Sequence, residues 1–174
     1  HVLYGVDLDL VSLDTEALLV VIIVSVLSGL GSLLGGLFLG NPTGGLIGLV
    51  VGVVWGVVGY FVMAYVIWFV GTRIMGGTAE PGELRRTLGY ALAPQALGVF
   101  SFIPCAGGLV ALAGLIWSLA CIVVAVRESL DTTTGNAIIT AVIGWLIIAV
   151  GAMLIATVLG IGALGLGALT GAFN

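Results

Sequence analysis

Five apolar runs, separated by short polar or glycine-proline groups, set the pattern of this chain. The first covers about residues 17–39 and stops at "GNPTG", where Pro and Gly signal a turn. The second covers 45–70 and the third 87–103. A tight "PCAGG" turn (104–108) leads into the fourth run, 108–126, and the polar loop "RESLDTTTGN" (127–136) leads into the fifth, 137–159. A glycine-rich apolar tail, "GIGALGLGALTGAFN", follows; it either extends the last helix or packs loosely. Crossing about 30 Å of hydrocarbon takes roughly 20 helical residues, and the third run is short at about 25 Å. The pattern predicts an all-α membrane protein with five transmembrane helices. It divides into a cytoplasmic or interfacial segment (1–16), a five-helix domain (17–159) and the tail (160–174).

Composition agrees with this reading. The 174 residues are 61% hydrophobic and 7% charged, with a mean hydropathy of +1.36. A soluble domain carries about 25% charged residues, and so few charges cannot cover a surface exposed to water. The net charge of −4 leaves no basic face, and no nucleic-acid partner is expected. The first residue is His1 rather than Met, so residues are expected to precede it; no signal peptide is read in the sequence.

The charges also give an orientation. Asp7, Asp9, Asp14 and Glu16 precede the first run; Arg73, Glu80, Glu83, Arg85 and Arg86 lie between the second and third; Arg127, Glu128 and Asp131 lie between the fourth and fifth. Five crossings put all three groups on one side, whereas four or six would split them. The positive-inside rule then makes the arginine loops cytoplasmic, with the N-terminus inside and the C-terminus outside.

The arginine loop reads as structured. Pro81 suits a first helical turn, and Glu80 and Glu83 suit the positive end of the helix dipole. Arg85 and Arg86 are placed to meet lipid phosphates, as a membrane-surface or partner-docking set with Arg73 and Arg127. Leu84, Leu88 and Leu92 recur at helical spacing and can dip into the bilayer. Residues 81–103 read as one helix, kinked at Pro94.

Glycine, at 29 residues, is the other prominent feature. Gly44, Gly48, Gly52 and Gly56 share one face of the second run, a small-xxx-small stripe that lets helices approach closely. Ser28, Ser32 and Gly36 form a similar row on the first run. Such stripes serve packing within one chain, or a homodimer or partner face.

Candidate chemistry is sparse. The sole histidine, His1, supports neither a zinc motif nor a catalytic triad, and no phosphate-binding loop is present. Cys105 and Cys121 stand about 24 Å apart along a helix, too far for a disulfide, and read as packed thiols. No charged residue falls within a run, which counts against ion-coupled transport. Gln95, beside Pro94, is read as bonding a freed carbonyl or as facing a ligand or pore. Tyr65, Trp68 and Tyr90 fit an interfacial belt. Trp55, Trp117 and Trp145 lie deeper, as packing residues or as contacts to lipid or cofactor. No metal, cofactor or catalytic set is expected.

"GTRIMGG", "LRRTLGYALAP", Pro104, Trp117 and "TTTGNAIITAV" together resemble the YIP family of Ypt/Rab-interacting membrane proteins, over about residues 20–158. The family-motif positions are Gly76, Gly77, Gly89, Tyr90 and Pro94, with Gly135-Asn136-Ala137 at the start of the last run. The resemblance implies an all-helical fold of five spans with a cytosolic N-terminus. Eukaryotic members bind prenylated Rab GTPases and carry a longer acidic N-terminal motif, where this chain has "YGVDLDL". The lysine-free, Ala/Gly/Val/Leu-rich composition points to a prokaryotic cytoplasmic membrane.

The function expected is non-enzymatic: scaffolding or organising membrane proteins or lipids, with the bilayer and other membrane proteins as partners and a homo-oligomer as a further option. One alternative is a small accessory subunit of a respiratory or photosynthetic complex. Another is a channel or transporter for a neutral solute, for which only the glycines, Pro94 and Gln95 speak.

Overall fold

Asn41 makes the first reversal of the chain. Its side-chain Oδ1 accepts from the Gly44 amide at 2.9 Å, capping the helix that starts at Pro42. Asn is a favoured N-cap and Pro a favoured first residue, since both suit the unpaired amides of a first turn. Gly40 takes the left-handed φ of +71° that closes the preceding helix. The computed structural model describes the backbone of residues 2–104 and 106–171, and the side chains of 14–104 and 106–160. Its helices are α1 (Val2–Phe38), α2 (Pro42–Arg73), α3 (Pro81–Ala91), a 3₁₀ segment (Ala93–Phe102), α4 (Ala106–Ser129) and α5 (Thr134–Gly171). Asp7, Asp9, Cys105 and the tail beyond residue 160 carry side chains outside the described residues; the backbone of α5 runs on to Gly171.

Among the described residues, four helices are long and apolar enough to cross a bilayer: Asp14–Phe38 of α1, α2, α4, and Thr134–Gly160 of α5. The expectation of five transmembrane helices is thereby corrected to four. The third run is not a continuous apolar helix. Its first part, α3, is an 11-residue amphipathic helix. After Leu92 the backbone tightens to 3₁₀ geometry for 10 residues. Pro94 has no amide hydrogen to continue the α-helical ladder, and the Gln95 amide bonds back to Leu92 O at 2.9 Å rather than to Ala91. Pro94 therefore does more than kink one helix over 81–103: it separates two helix types.

The broken segment nevertheless runs from one end of the bundle to the other. Gly89 lies against Ala17 and Gly98 against Ser28. The Phe102 ring stacks on Phe38, with centroids 5.9 Å apart. The segment is thus parallel to α1. It is antiparallel to α4: Thr87 Oγ1 meets Ser129 Oγ at 2.8 Å, Gly114 lies under the Pro94 carbonyl, and Gly107 lies under that of Phe100. The C-terminal ends of α2 and α4 meet, because the Thr78 amide donates to Leu130 O at 3.3 Å.

The densest packing sits at this shared end. Ile67, Leu84, Leu88, Ile122, Val126 and Leu130 are almost fully enclosed. Leu84 and Leu88 therefore pack within the protein rather than dip into lipid. Their spacing on α3 gives it one apolar face, and α2 and α4 cover that face. Elsewhere the helices present Leu19, Ile23, Val54, Leu109, Ile116 and Met153 outward. In water such a surface would aggregate, but in hydrocarbon it is the solvent-facing side. Lipid gives no hydrophobic drive between helices, so close packing and interhelical hydrogen bonds hold the bundle.

Candidate functional site

The charged residues with described side chains gather at the end where α2 and α4 finish and α3 begins. Asp14, on α1, stands between two arginines of α3. Arg85 lies 3.7 Å from its Oδ2 and Arg86 lies 3.8 Å from its Oδ1. At these lengths the pairs are electrostatic contacts rather than tight hydrogen bonds, and half-exposed pairs of this kind add at most about 1 kcal/mol. The Arg85 side chain remains 45% exposed, free to meet a further anion. On the other side of Arg85, Tyr60 of α2 donates its hydroxyl to the Arg85 carbonyl at 2.8 Å. Asp14, Leu18, Tyr60, Phe61 and Arg85 line a cleft of about 220 Å³. A neighbouring cleft of about 260 Å³ runs along Phe61, Ala64, Tyr65, Trp68, Pro81 and Arg85. Arg85 is common to both, and aromatic residues line each cleft.

Tyr90 extends the same link between α1 and α3. Its hydroxyl donates to Glu16 Oε2 at 3.3 Å. Arg73 is exposed at the end of α2, where a cation suits the helix dipole. Arg127 pairs with its neighbour Glu128 at 3.5 Å on the exposed rim. The structure thus brings Arg85 and Arg86 together around Asp14, and leaves Arg73 and Arg127 apart from that pair.

The glycines of the motif "MGG" shape the floor. Gly76 has a φ of +73°, a conformation that strains any side chain, and the Gly77 amide returns to Gly71 O at 2.9 Å. Trp68 clasps this loop by donating Nε1 to Ala79 O at 3.3 Å. Gly89 lets α3 touch α1, since a Cβ there would lie 2.9 Å from that of Ala17. Gly135 has open space around it, and the Asn136 amide meets Thr133 Oγ1 at 3.4 Å as α5 begins.

The α2 stripe faces α1. A Cβ on Gly56 would fall on the Ser25 side chain, and one on Gly48 would lie 3.1 Å from Ser32 Cβ. Gly52 has only Gly29 Cα nearby, at 3.9 Å. Gly44 lies instead against its own cap, Asn41; its neighbour Gly45 meets Gly36 and the Leu33 carbonyl.

A second polar set lies inside the bundle. The 3₁₀ turn frees the Ala91 carbonyl, and Ser118 of α4 donates to it at 3.0 Å. Gln95 Nε2 donates to Ser118 Oγ at 3.2 Å, and Ser28 of α1 donates to the Gln95 carbonyl at 3.2 Å. Gln95 was expected to bond the freed carbonyl; Ser118 does so, and Gln95 supports Ser118. The roles of Asp14, Tyr60 and Ser118 are not marked in the sequence. Their partners lie 23 to 72 positions away, and no periodicity encodes such pairings.

Searches of curated proteins and of solved structures each returned no match. A family model, the Yip1 domain, matches residues 14–156, from the Asp14 that joins the two arginines to a point well along α5. The matched region takes in the four spanning helices, the broken third segment and the glycine loop, and the chain belongs to the Yip1 domain family of integral membrane proteins.

Proposed function

We propose that this protein is a non-enzymatic organiser of membrane proteins or lipids, docking them at the end of the bundle that carries Arg85 and Arg86. The observation that carries this reading is the asymmetry of the molecule. The charged side chains concentrate at one end, where Arg85 remains half exposed between two clefts with aromatic linings. The sides of the bundle are apolar. A half-exposed arginine in an aromatic-lined cleft at a membrane surface can take a lipid phosphate, or an acidic group of a partner, by charge-assisted hydrogen bonds.

The positive-inside rule places this end in the cytoplasm. The course of the broken third segment supports five crossings, four by helices and one by the α3–3₁₀ pair, with the C-terminus opposite. The proposed setting is a prokaryotic cytoplasmic membrane.

Purification from the native membrane in mild detergent tests the reading. Wild type should retain a discrete set of membrane proteins or anionic lipids, identified by mass spectrometry, and the double variant Arg85→Ser, Arg86→Ser should lose it. The same set recovered with both proteins would show that the arginine end is not the docking surface.

A further inference from the structure

A half-open cavity of about 280 Å³ lies between α2, the 3₁₀ segment, α4 and α5. Its walls are mainly apolar and aromatic, with Trp55, Tyr60, Ile122, Trp145 and Ala149 among them. The Tyr60 hydroxyl is engaged with the Arg85 carbonyl. Gln95 also lines the cavity. A polar amide within the hydrocarbon depth is costly unless its groups are paired.

The orientation of that amide follows from its neighbours. The Ser118 hydroxyl has a single hydrogen and donates it to the Ala91 carbonyl. Toward Gln95 it can therefore only accept, and Gln95 must offer its NH₂. The amide oxygen Oε1 is left without a hydrogen-bond partner among the described residues. The cavity thus combines greasy walls with one free acceptor, the usual make-up of a small-molecule site. It adjoins a break between helix types, where spanning helices often build binding sites.

The cavity also has an approach from the bilayer. Trp55 belongs both to its wall and to an outer groove of about 400 Å³ formed by Val50, Val54, Val58 and Ile155. The Trp55 ring packs against two glycines: a Cβ at Gly151 would be 2.6 Å from it, and one at Gly59 would be 3.8 Å away. Trp55 thus joins the cavity to the lipid-facing groove.

We propose that this cavity binds a slender, lipid-soluble molecule carrying a hydroxyl group, whose proton Gln95 Oε1 accepts and whose chain lies between Trp55 and Trp145. Recognition is by one hydrogen bond plus apolar contact, so the ligand class is a single-chain alcohol rather than a plain hydrocarbon or a charged lipid.

The test uses the full chain in detergent micelles, carrying Trp68→Phe and Trp117→Phe so that Trp55 and Trp145 report. Bromohexanol and bromohexane serve as heavy-atom quenchers, compared at equal mole fraction in the micelle. Bromohexanol should quench saturably, with a half-quenching mole fraction about fivefold below that of bromohexane, the ratio that one hydrogen bond of about 1 kcal/mol gives. Gln95→Leu should remove that preference, and Ala149→Phe, which fills the cavity, should remove saturation. Thermal unfolding identifies any variant that does not fold. Ala152→Phe then replaces Ala149→Phe, and Gln95→Met replaces Gln95→Leu. Linear quenching that is equal for both probes and unaffected by Ala149→Phe would overturn the site. Saturable quenching without preference for the alcohol would overturn its assignment to a hydroxyl-bearing ligand.

Discussion

The side chain of Leu130 fills the space that a side chain at Gly77 would need. A Cβ at position 77 would lie 2.7 Å from Leu130 Cδ2 and 2.9 Å from the Leu130 carbonyl oxygen. The same leucine lies over Gly71 and is fully buried. Leu130 thus locks the α2–α3 loop to the α4–α5 loop. Gly77→Ala should destabilise the protein by about 1–3 kcal/mol, because the backbone carbonyl cannot swing away as a side chain would. Leu130→Ala should cost about 2–5 kcal/mol. The two changes together should cost less than their sum, since each loosens the same contact. Unfolding in detergent measures all three; full additivity would mean that the loops are not coupled through this pair.

Ser118→Ala leaves the Ala91 carbonyl and a Gln95 amide hydrogen without partners. Interhelical hydrogen bonds in membranes are worth about 0.6–2 kcal/mol. A loss of about 1 kcal/mol is expected in a reversible unfolding assay. An unchanged stability would show that the 3₁₀ segment does not depend on this cap.

The stripe on α2 predicts a ranking. Gly56→Ala and Gly45→Ala should destabilise most, the first against the Ser25 side chain and the second 2.9 Å from the Leu33 carbonyl. Gly48→Ala should be milder, as its nearest atom is Ser32 Cβ at 3.1 Å, and Gly52→Ala should be tolerated with nothing closer than 3.9 Å. Thermal midpoints of the four variants test this order, and a Gly52 variant as damaged as Gly56 would refute the α1–α2 packing.

Replacing Arg73, Arg85 and Arg86 together by Ser should weaken orientation in the membrane. Cysteine-accessibility labelling of the turns on both sides should then find a mixed population. A single, unaltered orientation would show that another segment directs insertion.

Much of the fold is legible in the sequence, because hydrocarbon imposes a simple code of long apolar runs and polar breaks. The four long helices follow from it directly, and the family motif is carried by visible residues. The third segment is harder to read. Leu84, Leu88 and Leu92 give the correct helical face, but periodicity does not say whether lipid or protein covers it. Pro94 announces a disturbance without telling a kink from a change of helix type, which depends on Ser118 and Ser28 reaching the freed groups from other helices. The arginine site is half legible for the same reason. Arg85 and Arg86 stand out as charges, whereas Asp14 becomes their partner only through the α1–α3 contact at Gly89.

The change from α to 3₁₀ geometry alters the rise from about 1.5 to about 2.0 Å per residue. The 11 residues of α3 and the 10 of the 3₁₀ segment thereby extend about 36 Å, as far as the 24 residues of α4. This segment, whose first turns carry Glu83, Arg85 and Arg86, lies along α1 and α4 for that whole length. The consequence lies in biogenesis: this segment is expected to take up its position only after α4 has been made. With Cys105 and Cys121 replaced by Ser and a single cysteine introduced by Ala96→Cys, a chain truncated after residue 104 should hold α1 and α2 in the bilayer and leave that thiol open to water-soluble reagents, whereas the full-length chain should protect it.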